Sequence, residues 1–202
     1  MLPSLTAARQ ALASVIMLAI VTVALGFGYP LAVTGISQLF FRNQANGSLV
    51  YKHGTLIGSA LLGQSFTDAK GNPLPQYFQP RPSDAGTGYQ GNSSGASNLG
   101  PSNPVLLKLV AARASAYRQF NGLSSTATVP VDAVTASASG LDPDISVANA
   151  LDQAPRVARA RHLPAAQVVA LVHQYTTAAQ WGFLSEPVVN VLSINLALDG
   201  QP

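Results

Sequence analysis

The chain has 202 residues, which is enough for one domain with an attachment or for two small domains at most. Only 9% of its residues are charged, against about 25% in a typical protein, so we expect part of the chain to lie in lipid or against a partner. The net charge of +3 is small and the basic residues are spread out, which argues against a nucleic-acid partner. Cysteine is absent, and this excludes disulfides and cysteine metal sites.

The first predicted element is a membrane-spanning helix. No charged residue lies between Arg9 and Arg42, and the 22-residue stretch LASVIMLAIVTVALGFGYPLAV contains 11 Leu, Ile, Val or Phe residues. These side chains favour insertion by about 3 to 7 kcal/mol before polar, Gly and Pro residues are considered. Pro30 lies near the far end, where a kink or an exit from the helix is tolerable. We predict a short cytoplasmic segment over 1–10, a transmembrane helix over 11–35 and an extracytoplasmic domain over 36–202.

A cleaved signal peptide and a buried helix are the two alternatives to a membrane anchor. The apolar run is longer than the core of a cleaved signal peptide, which has about 7 to 15 residues. A buried helix of a soluble protein is the second alternative. Arg9 and the N-terminal amine favour a cytoplasmic N-terminus under the positive-inside rule.

The segment after the anchor alternates turn signals with short apolar runs. Asn46-Gly47 and His53-Gly54 predict turns, with strands over 48–51 and 56–62. Further on, the prolines in QPRPS predict an extended backbone around Arg81.

Helical patterns follow the stretch SGASNLGPSNP. Asn103 is placed as the N-cap of a helix that begins at Pro104 and ends near Gly122, with Leu106, Val110, Arg113 and Tyr117 on one side. Ser146 predicts the cap of a second helix, in which Pro155 predicts a kink or two shorter pieces. Pro164 predicts the start of a third helix over 165–180.

The remaining patterns predict strands. TVPVDAV has a strand-like composition, and PVVNVLSINLALD is rich in β-branched residues with alternating positions, which predicts an internal strand. The predicted fold class is therefore α+β: one N-terminal transmembrane helix followed by a single mixed α/β extracytoplasmic domain.

Motifs for known chemistry are weak in this sequence. It contains no GxxxxGK[ST] phosphate loop, no GxSxG elbow and no SxxK pair. His53, His162 and His173 are isolated, and the Asp142-Pro143-Asp144 pair lacks the further ligands of a calcium loop, so we predict a turn there instead. We predict no catalytic residues, no metal ligands and no cofactor in this chain, and we assign no nucleotide-binding residues.

Five loop residues are the candidates for partner contact or for structural support. Arg81, fixed between two prolines, can hold a carboxylate or carbonyl of its own chain or of a partner. The SGASNLGPSNP loop, with Asn103 as a cap, is predicted to be an ordered loop in which Ser and Asn side chains satisfy backbone groups. The full set of candidates is Gln64, Arg81, Asn98, Asn103 and Asp142.

Several stretches, in this order and spacing, resemble one family over nearly the whole chain. They are GYPLAVTGISQLFF, QANGSLV, GSALLGQSF, YFQPRPS, SGASNLGPSNP, VPVDAVTASASGLDPDIS, PRVARAR and PVVNVLSINLALD. Together they resemble the KdpC family, the C subunit of the bacterial high-affinity potassium-transporting P-type ATPase complex.

The resemblance implies a non-catalytic, single-pass subunit of the bacterial cell inner membrane with a periplasmic domain. Its partners would be a channel-like potassium-translocating subunit, an ATP-hydrolysing P-type subunit, a very small lipid-like subunit and membrane lipid. It would assemble and stabilise the complex and act as a catalytic chaperone that raises the ATP affinity of the hydrolysing subunit. ATP and potassium would be used by the complex and not by this chain. The alternatives are a membrane-anchored periplasmic hydrolase and a solute-binding module.

Overall fold

The structure is a computed structural model that describes residues 5–200. The chain divides between Ser48 and Leu49 into two compact units. The mixture of helices and strands after one N-terminal apolar helix confirms the predicted fold class. The elements in chain order are α1 (Leu5–Val23), a π-helical turn (Ala24–Gly28), α2 (Tyr29–Phe40), α3 (Arg42–Ala45), β1 (Leu49–Lys52), β2 (Thr55–Ser59), α4 (Pro104–Asn121), a 3-10 turn (Val131–Ala133), β3 (Asp144–Ser146), α5 (Val147–Arg161), α6 (Ala165–Gln174), β4 (Thr176–Thr177), β5 (Val188–Asn190) and α7 (Val191–Leu198).

The first unit is dominated by one helix, made of α1, the π-helical turn and α2. Thr6–Phe40 is long and apolar enough to cross a membrane, and among the described residues it is the one helix that is. Its 35 residues extend about 50 Å, against a hydrocarbon core of about 30 Å. The helix does not end at Pro30. The Tyr29 N–H instead bonds to the Ala24 carbonyl five residues back, and this wider turn accommodates the proline ring and its missing N–H.

The second unit begins with the predicted hairpin. Strands β1 and β2 pair antiparallel, and Lys52 lies opposite Thr55 across a two-residue turn. His53 and Gly54 both have positive φ angles, 50° and 79°, as a turn of this kind requires. The prediction of two strands joined at His53-Gly54 is confirmed.

Helix α4 follows the sequence prediction closely. The Asn103 side chain accepts a hydrogen bond from the Val105 N–H, and Gly122 ends the helix with φ 71°. The predicted inner side is half-buried at Leu106, Val110, Arg113 and Tyr117.

The hydrophobic core lies where α5, α6 and α7 pack against a three-stranded antiparallel sheet of order β3-β5-β4. Ser146 caps α5 by accepting from the Asn149 N–H, as predicted. Val168 and Val172 of α6 are buried, and Leu171 and Tyr175 pack against the same cluster. The buried apolar residues at the centre are Phe78, Ile145, Ala150, Ala154, Val157, Ala158, Val168, Val172, Val189, Val191 and Ile194.

The predicted long C-terminal strand is wrong. Only Val188–Asn190 is a strand, and it is the central one of the sheet; Val191–Leu198 is a helix. The Asn190 side chain accepts from the Ser193 N–H and so caps that helix. At this cap the backbone changes from extended to helical within one residue. The apolar residues that follow are compatible with a strand as well as with a helix.

Three further predictions need correction. TVPVDAV is not a strand, because Pro130 leads directly into the 3-10 turn. Helix α5 continues across Pro155, which is exposed, so the alternative of two shorter helices is wrong. Helix α6 ends at Gln174, because the β-branched Thr176 joins the sheet edge as part of β4.

Asp199 ties the end of α7 to distant parts of the domain. Its carboxylate accepts from Arg161 Nη2 at 2.8 Å, from Lys52 Nζ at 3.2 Å and from the Tyr77 hydroxyl. Burial raises the pKa of Asp199, but the hydrogen bonds from Arg161, Lys52 and Tyr77 outweigh it and hold the pKa below its ordinary value.

Because the folded pKa of Asp199 is lowered, the ionised form stabilises the fold at pH values above the unfolded pKa of about 3.9. This stabilisation should be lost progressively as the pH falls from about 5 through that value. Denaturant titrations of the full chain in detergent should show a flatter pH dependence for Asp199→Asn than for the parent below about pH 5. Lys52→Met removes only the longer ion pair and should keep most of the slope. An unchanged slope in Asp199→Asn would contradict this role.

Candidate functional site

Arg81 and Asp142, two of the predicted candidates, form an ion pair. Arg81 Nη1 donates to Asp142 Oδ2 at 2.8 Å, and its Nε and Nη2 lie 3.5 Å from the Thr135 carbonyl. Both side chains remain about a quarter exposed, at 23% and 29%. The pair therefore positions two loops and still reaches the surface, so Arg81 is held by its own chain and is also available to a neighbour.

Asp142 also shapes the turn that leads into β3. Its Oδ1 accepts from the Asp144 N–H at 3.0 Å, which is an Asx turn around Pro143. The predicted turn is present, but the helix cap comes from Ser146 and not from the aspartate pair.

Asp132 supports the start of α5, a role that was not predicted from the sequence. Its carboxylate accepts from the Ser146 N–H and hydroxyl, both at 2.8 Å, and from Asn149 Nδ2 at 2.9 Å. A carboxylate at the N-terminus of a helix is favourable because the helix dipole is positive there. Because TVPVDAV was predicted to be a strand, no supporting role was predicted for its aspartate. An aspartate directly after Pro-Val is itself a signal for a turn.

A cleft of about 470 Å³ opens beside the ion pair. Four of its lining residues are acidic and one is basic, so half of the eight acidic residues of the chain lie here. The charged residues of the lining are Arg81, Asp132, Asp142, Asp144 and Glu186, and the segment 177–188 forms the opposite wall. The cleft is therefore strongly negative, although the net charge of the whole chain is +3.

Asp144 is a half-buried acid of the cleft. Burial raises the pKa of Asp144, the hydrogen bond from Asn190 opposes the rise, and the charge of Asp142 adds to it. Asn190 Nδ2 lies 3.0 Å from Asp144 Oδ1 and also donates to the Ala60 carbonyl. The ionised form of Asp144 is therefore destabilised, and a cation in the cleft would favour it.

The backbone of the QPRPS segment is fixed from its other side by Tyr89. The Tyr89 hydroxyl donates to the Arg81 carbonyl at 2.7 Å, and burial raises the pKa of Tyr89, so the hydroxyl remains a donor. A second cavity of about 330 Å³ lies here and is lined by Arg81, Ser83 and Tyr89 among others. Arg81 therefore separates two cavities.

Gly63 allows close packing next to the ion pair, whereas Gln64 serves the hairpin. A Cβ at Gly63 would lie 2.4 Å from Tyr89 Cε1 and 2.5 Å from the Asp142 carbonyl, and the Gly63 N–H donates to the Leu141 carbonyl at 2.8 Å. Gln64 is half-buried, and its Oε1 lies against Gly58 of β2.

The SGASNLGPSNP stretch is an ordered loop attached to the 137–140 segment. Gly95 N–H and the Ser94 hydroxyl both donate to the Ser139 carbonyl, at 3.0 and 2.9 Å. Asn98 has φ 53° and bonds locally to the Ala96 carbonyl, and Asn103 caps α4. Asn98 and Asn103 thus have local roles and do not join the Arg81–Asp142 pair.

An exposed aromatic turn forms the rim of the cleft. This turn was not predicted from the sequence either. Gln180 and Leu184 form an isolated antiparallel bridge, and between them Trp181 is 84% exposed and Phe183 is 79% exposed. Trp181 and Gly182 have φ angles of 52° and 81°. The signal in the sequence was Trp-Gly-Phe in a segment whose helical pattern had already ended.

The histidines do not assemble a metal site. Within residues 5–200, no group of three or more His, Cys, Asp or Glu residues is arranged to hold a metal ion. His53 and His162 instead occupy positive-φ positions, in the hairpin turn and at the end of α5.

The structure thus defines a class: a small α+β domain preceded by one helix of membrane-spanning length. The family model described as "KdpC: K+-transporting ATPase, c chain" matches residues 11–200. The chain belongs to the KdpC family. The resemblance identified from the sequence is confirmed, and potassium transport and a multi-subunit complex come with it. The family and the helix together indicate a single-pass membrane protein.

Individual relatives are similar along nearly their whole length. A "Potassium-transporting ATPase KdpC subunit" of Mycobacterium tuberculosis is 56% identical over 191 residues, which cover 95% of this chain and 98% of the relative. The protein of the same name in Rhodospirillum rubrum is 54% identical over 186 residues, 92% and 93% of the two chains. That of Acidobacterium capsulatum is 54% identical over 175 residues, 87% and 89%.

Proposed function

We propose that this chain is the non-catalytic subunit that assembles and stabilises the potassium-importing complex and raises the ATP affinity of its ATP-hydrolysing subunit. The observation that carries the proposal is the family match, which includes both the apolar helix and the domain. Its partners are the channel-like translocating subunit, the ATP-hydrolysing subunit, the very small lipid-like subunit and membrane lipid. ATP and potassium are used by the complex, with no cofactor in this chain.

The proposal places the chain in the bacterial inner membrane with a cytoplasmic N-terminus and a periplasmic C-terminal domain. Arg9 before the helix supports this orientation under the positive-inside rule. A periplasmic domain cannot touch ATP bound in the cytoplasm. Its effect on ATP affinity is therefore allosteric and is transmitted through the membrane subunits, with a coupling free energy of about 1–3 kcal/mol.

Deletion of this subunit tests the proposal in cells that depend on high-affinity uptake. We expect the deletion strain to fail to grow at micromolar potassium and to recover with the full chain. A variant ending after Ser48, which retains the helix and lacks the domain, should not restore growth. Normal growth of the deletion strain would contradict the proposal.

The effect on ATP affinity is measured on purified complexes. We expect the KM for ATP to rise by about 5- to 150-fold when the subunit is absent, which is the range of common allosteric couplings. An unchanged KM in a complex that still forms would leave assembly as the function and refute the chaperone role.

The cleft beside Arg81 favours one competing function, a solute-binding module. Its 470 Å³ would hold a small molecule. Calorimetry on the full chain in detergent decides between the two: binding of potassium or a small solute by this chain alone would favour the module, and no heat of binding would favour the accessory subunit.

A further inference from the structure

The aromatic turn and the acidic cleft form one continuous surface of the domain. Gln180 and the residues 185–188 line the cleft, so the turn between them lies at its edge. Beyond Gln180 stand Trp181, Phe183 and Leu184, which are 84%, 79% and 47% exposed. Trp181 is the only tryptophan of the chain. Contiguous exposed apolar surface is a feature of interaction sites.

The backbone of the turn has a defined conformation. The Leu184 N–H donates to the Gln180 carbonyl at 2.9 Å, and the Gly182 N–H donates to the Ala179 carbonyl at 3.0 Å. Trp181 and Ser185 hold positive φ angles of 52° and 77° on either side of Phe183. A turn fixed by its own backbone loses little entropy when it is covered, which favours binding.

The charges of the cleft determine what can cover this surface. Asp142 is neutralised by Arg81, and Asp132 is engaged by the start of α5. None of the ion pairs among residues 5–200 involves Asp144 or Glu186, and Glu186 is exposed. Two carboxylates without a cationic partner therefore lie beside exposed aromatic rings, an arrangement complementary to a lysine or arginine with an apolar neighbour.

We propose that the surface formed by Trp181, Phe183, Leu184, Asp144 and Glu186 docks a basic, apolar segment of another subunit of the same complex. The inference rests on the proposed function, since it names the surface through which the domain joins that complex. A bilayer is the less suitable occupant, because the carboxylates of the cleft repel anionic headgroups while they attract a basic side chain.

Photocrosslinking in native membranes tests the docking surface directly. With p-benzoyl-phenylalanine in place of Phe183, we expect an adduct with another protein subunit. The matched control is the same label in place of Tyr51, an aromatic residue that is 59% exposed on the hairpin. An adduct with lipid alone, no adduct at all, or equal protein adducts from both positions would overturn the assignment.

Substitutions test which contacts hold the complex together. Trp181→Ala should lower the fraction of the chain retained by a tagged partner after a detergent wash by about tenfold or more, while Tyr51→Ala leaves it near the parent value. Glu186→Lys should lower retention as well, and Asp68→Lys, which makes the same change of charge at another exposed acid, should not. Because Trp181 and Glu186 are exposed, both variants should keep the unfolding midpoint of the parent.

The outcomes separate this inference from the proposed function. If the parent chain does not co-purify with other subunits, the proposed function fails. If the parent chain co-purifies and Trp181→Ala and Glu186→Lys are retained as well as it is, only the docking surface is refuted.

Discussion

Replacing Arg156 with methionine should lower the free energy of unfolding by about 3 kcal/mol or more, because two buried side-chain oxygens and two backbone carbonyls lose one shared donor. Arg156 is only 4% exposed. Its guanidinium donates to Asn121 Oδ1 at 2.9 Å, to Gln153 Oε1 at 2.7 Å and to the carbonyls of Pro75 and Tyr77. It thereby joins α5 to α4 and to the segment that precedes QPRPS.

No carboxylate among residues 5–200 forms an ion pair with Arg156, so its charge is stabilised by hydrogen-bond acceptors and by an aromatic face. The guanidinium carbon lies 4.3 Å from the centre of the Phe120 ring. Burial lowers the pKa of Arg156 to about 10, and the group is still protonated at neutral pH. Lysine would keep a charge but not the planar fork, so Arg156→Lys should recover only part of the lost stability.

Arg159→Met is the matched control, because Arg159 lies on the same helix and is exposed. We expect it to change the free energy of unfolding by less than about 0.5 kcal/mol. Denaturant titration of the full chain in detergent measures both variants. Equal losses of unfolding free energy in Arg156→Met and Arg159→Met would show that the buried hydrogen bonds of Arg156 do not stabilise the fold.

The sequence could not have shown which arginine of PRVARAR is buried. Asn149, Gln153 and Arg156 recur at the spacing of one helical face, and three polar residues on one face ordinarily predict exposure. Here that face is buried, and its polar groups are satisfied by one another and by loop carbonyls that are distant in sequence. Patterns of polarity do not encode partners at that distance.

The elements that were predicted correctly have local causes. The hairpin turn at His53-Gly54, the Asn103 cap and the Ser146 cap are each determined by residues within about four positions, and all three are confirmed. The C-terminal prediction failed because the apolar residues after Asn190 suit a strand as well as a helix, and the Asn190 cap that begins the helix was not recognised. In the candidate site, too, local features were predictable and long-range contacts were not. Arg81 and Asp142 were each selected as candidates, but their contact across 61 residues of sequence was not predictable.

Replacing Gly140 with alanine should be the most damaging change among the loops that surround the Arg81–Asp142 pair. A Cβ at Gly140 would lie 2.7 Å from the Ala85 nitrogen and 2.7 Å from the Gly95 carbonyl oxygen, and both of these are backbone atoms that cannot rotate away. Gly140 also has φ 67°, which alone costs alanine about 1–2 kcal/mol. With the steric overlap added, we expect a total loss of about 2–5 kcal/mol.

Gly54→Ala separates the two causes of that loss. Gly54 has φ 79° with nothing within 4 Å of its Cβ position, so alanine there meets the backbone strain without the overlap. Its loss should stay near about 1–2 kcal/mol. If Gly140→Ala were no more destabilising than Gly54→Ala in denaturant titrations of the full chain, the close packing of these loops would be refuted.

A crosslink reports whether the damage reaches the candidate site. The chain has no cysteine, so Ser94→Cys with Ser139→Cys introduces the only two thiols, at positions joined by a 2.9 Å hydrogen bond between the Ser94 hydroxyl and the Ser139 carbonyl. A short thiol reagent should join them in the parent background and should do so less in Gly140→Ala. Because Asp142 follows Gly140 by two residues, displacement of this junction would also displace the carboxylate that Arg81 holds. Loss of the crosslink together with weaker association with the other subunits would connect the packing of SGASNLGPSNP to assembly, whereas loss of the crosslink with unchanged association would restrict the role of this loop to stability.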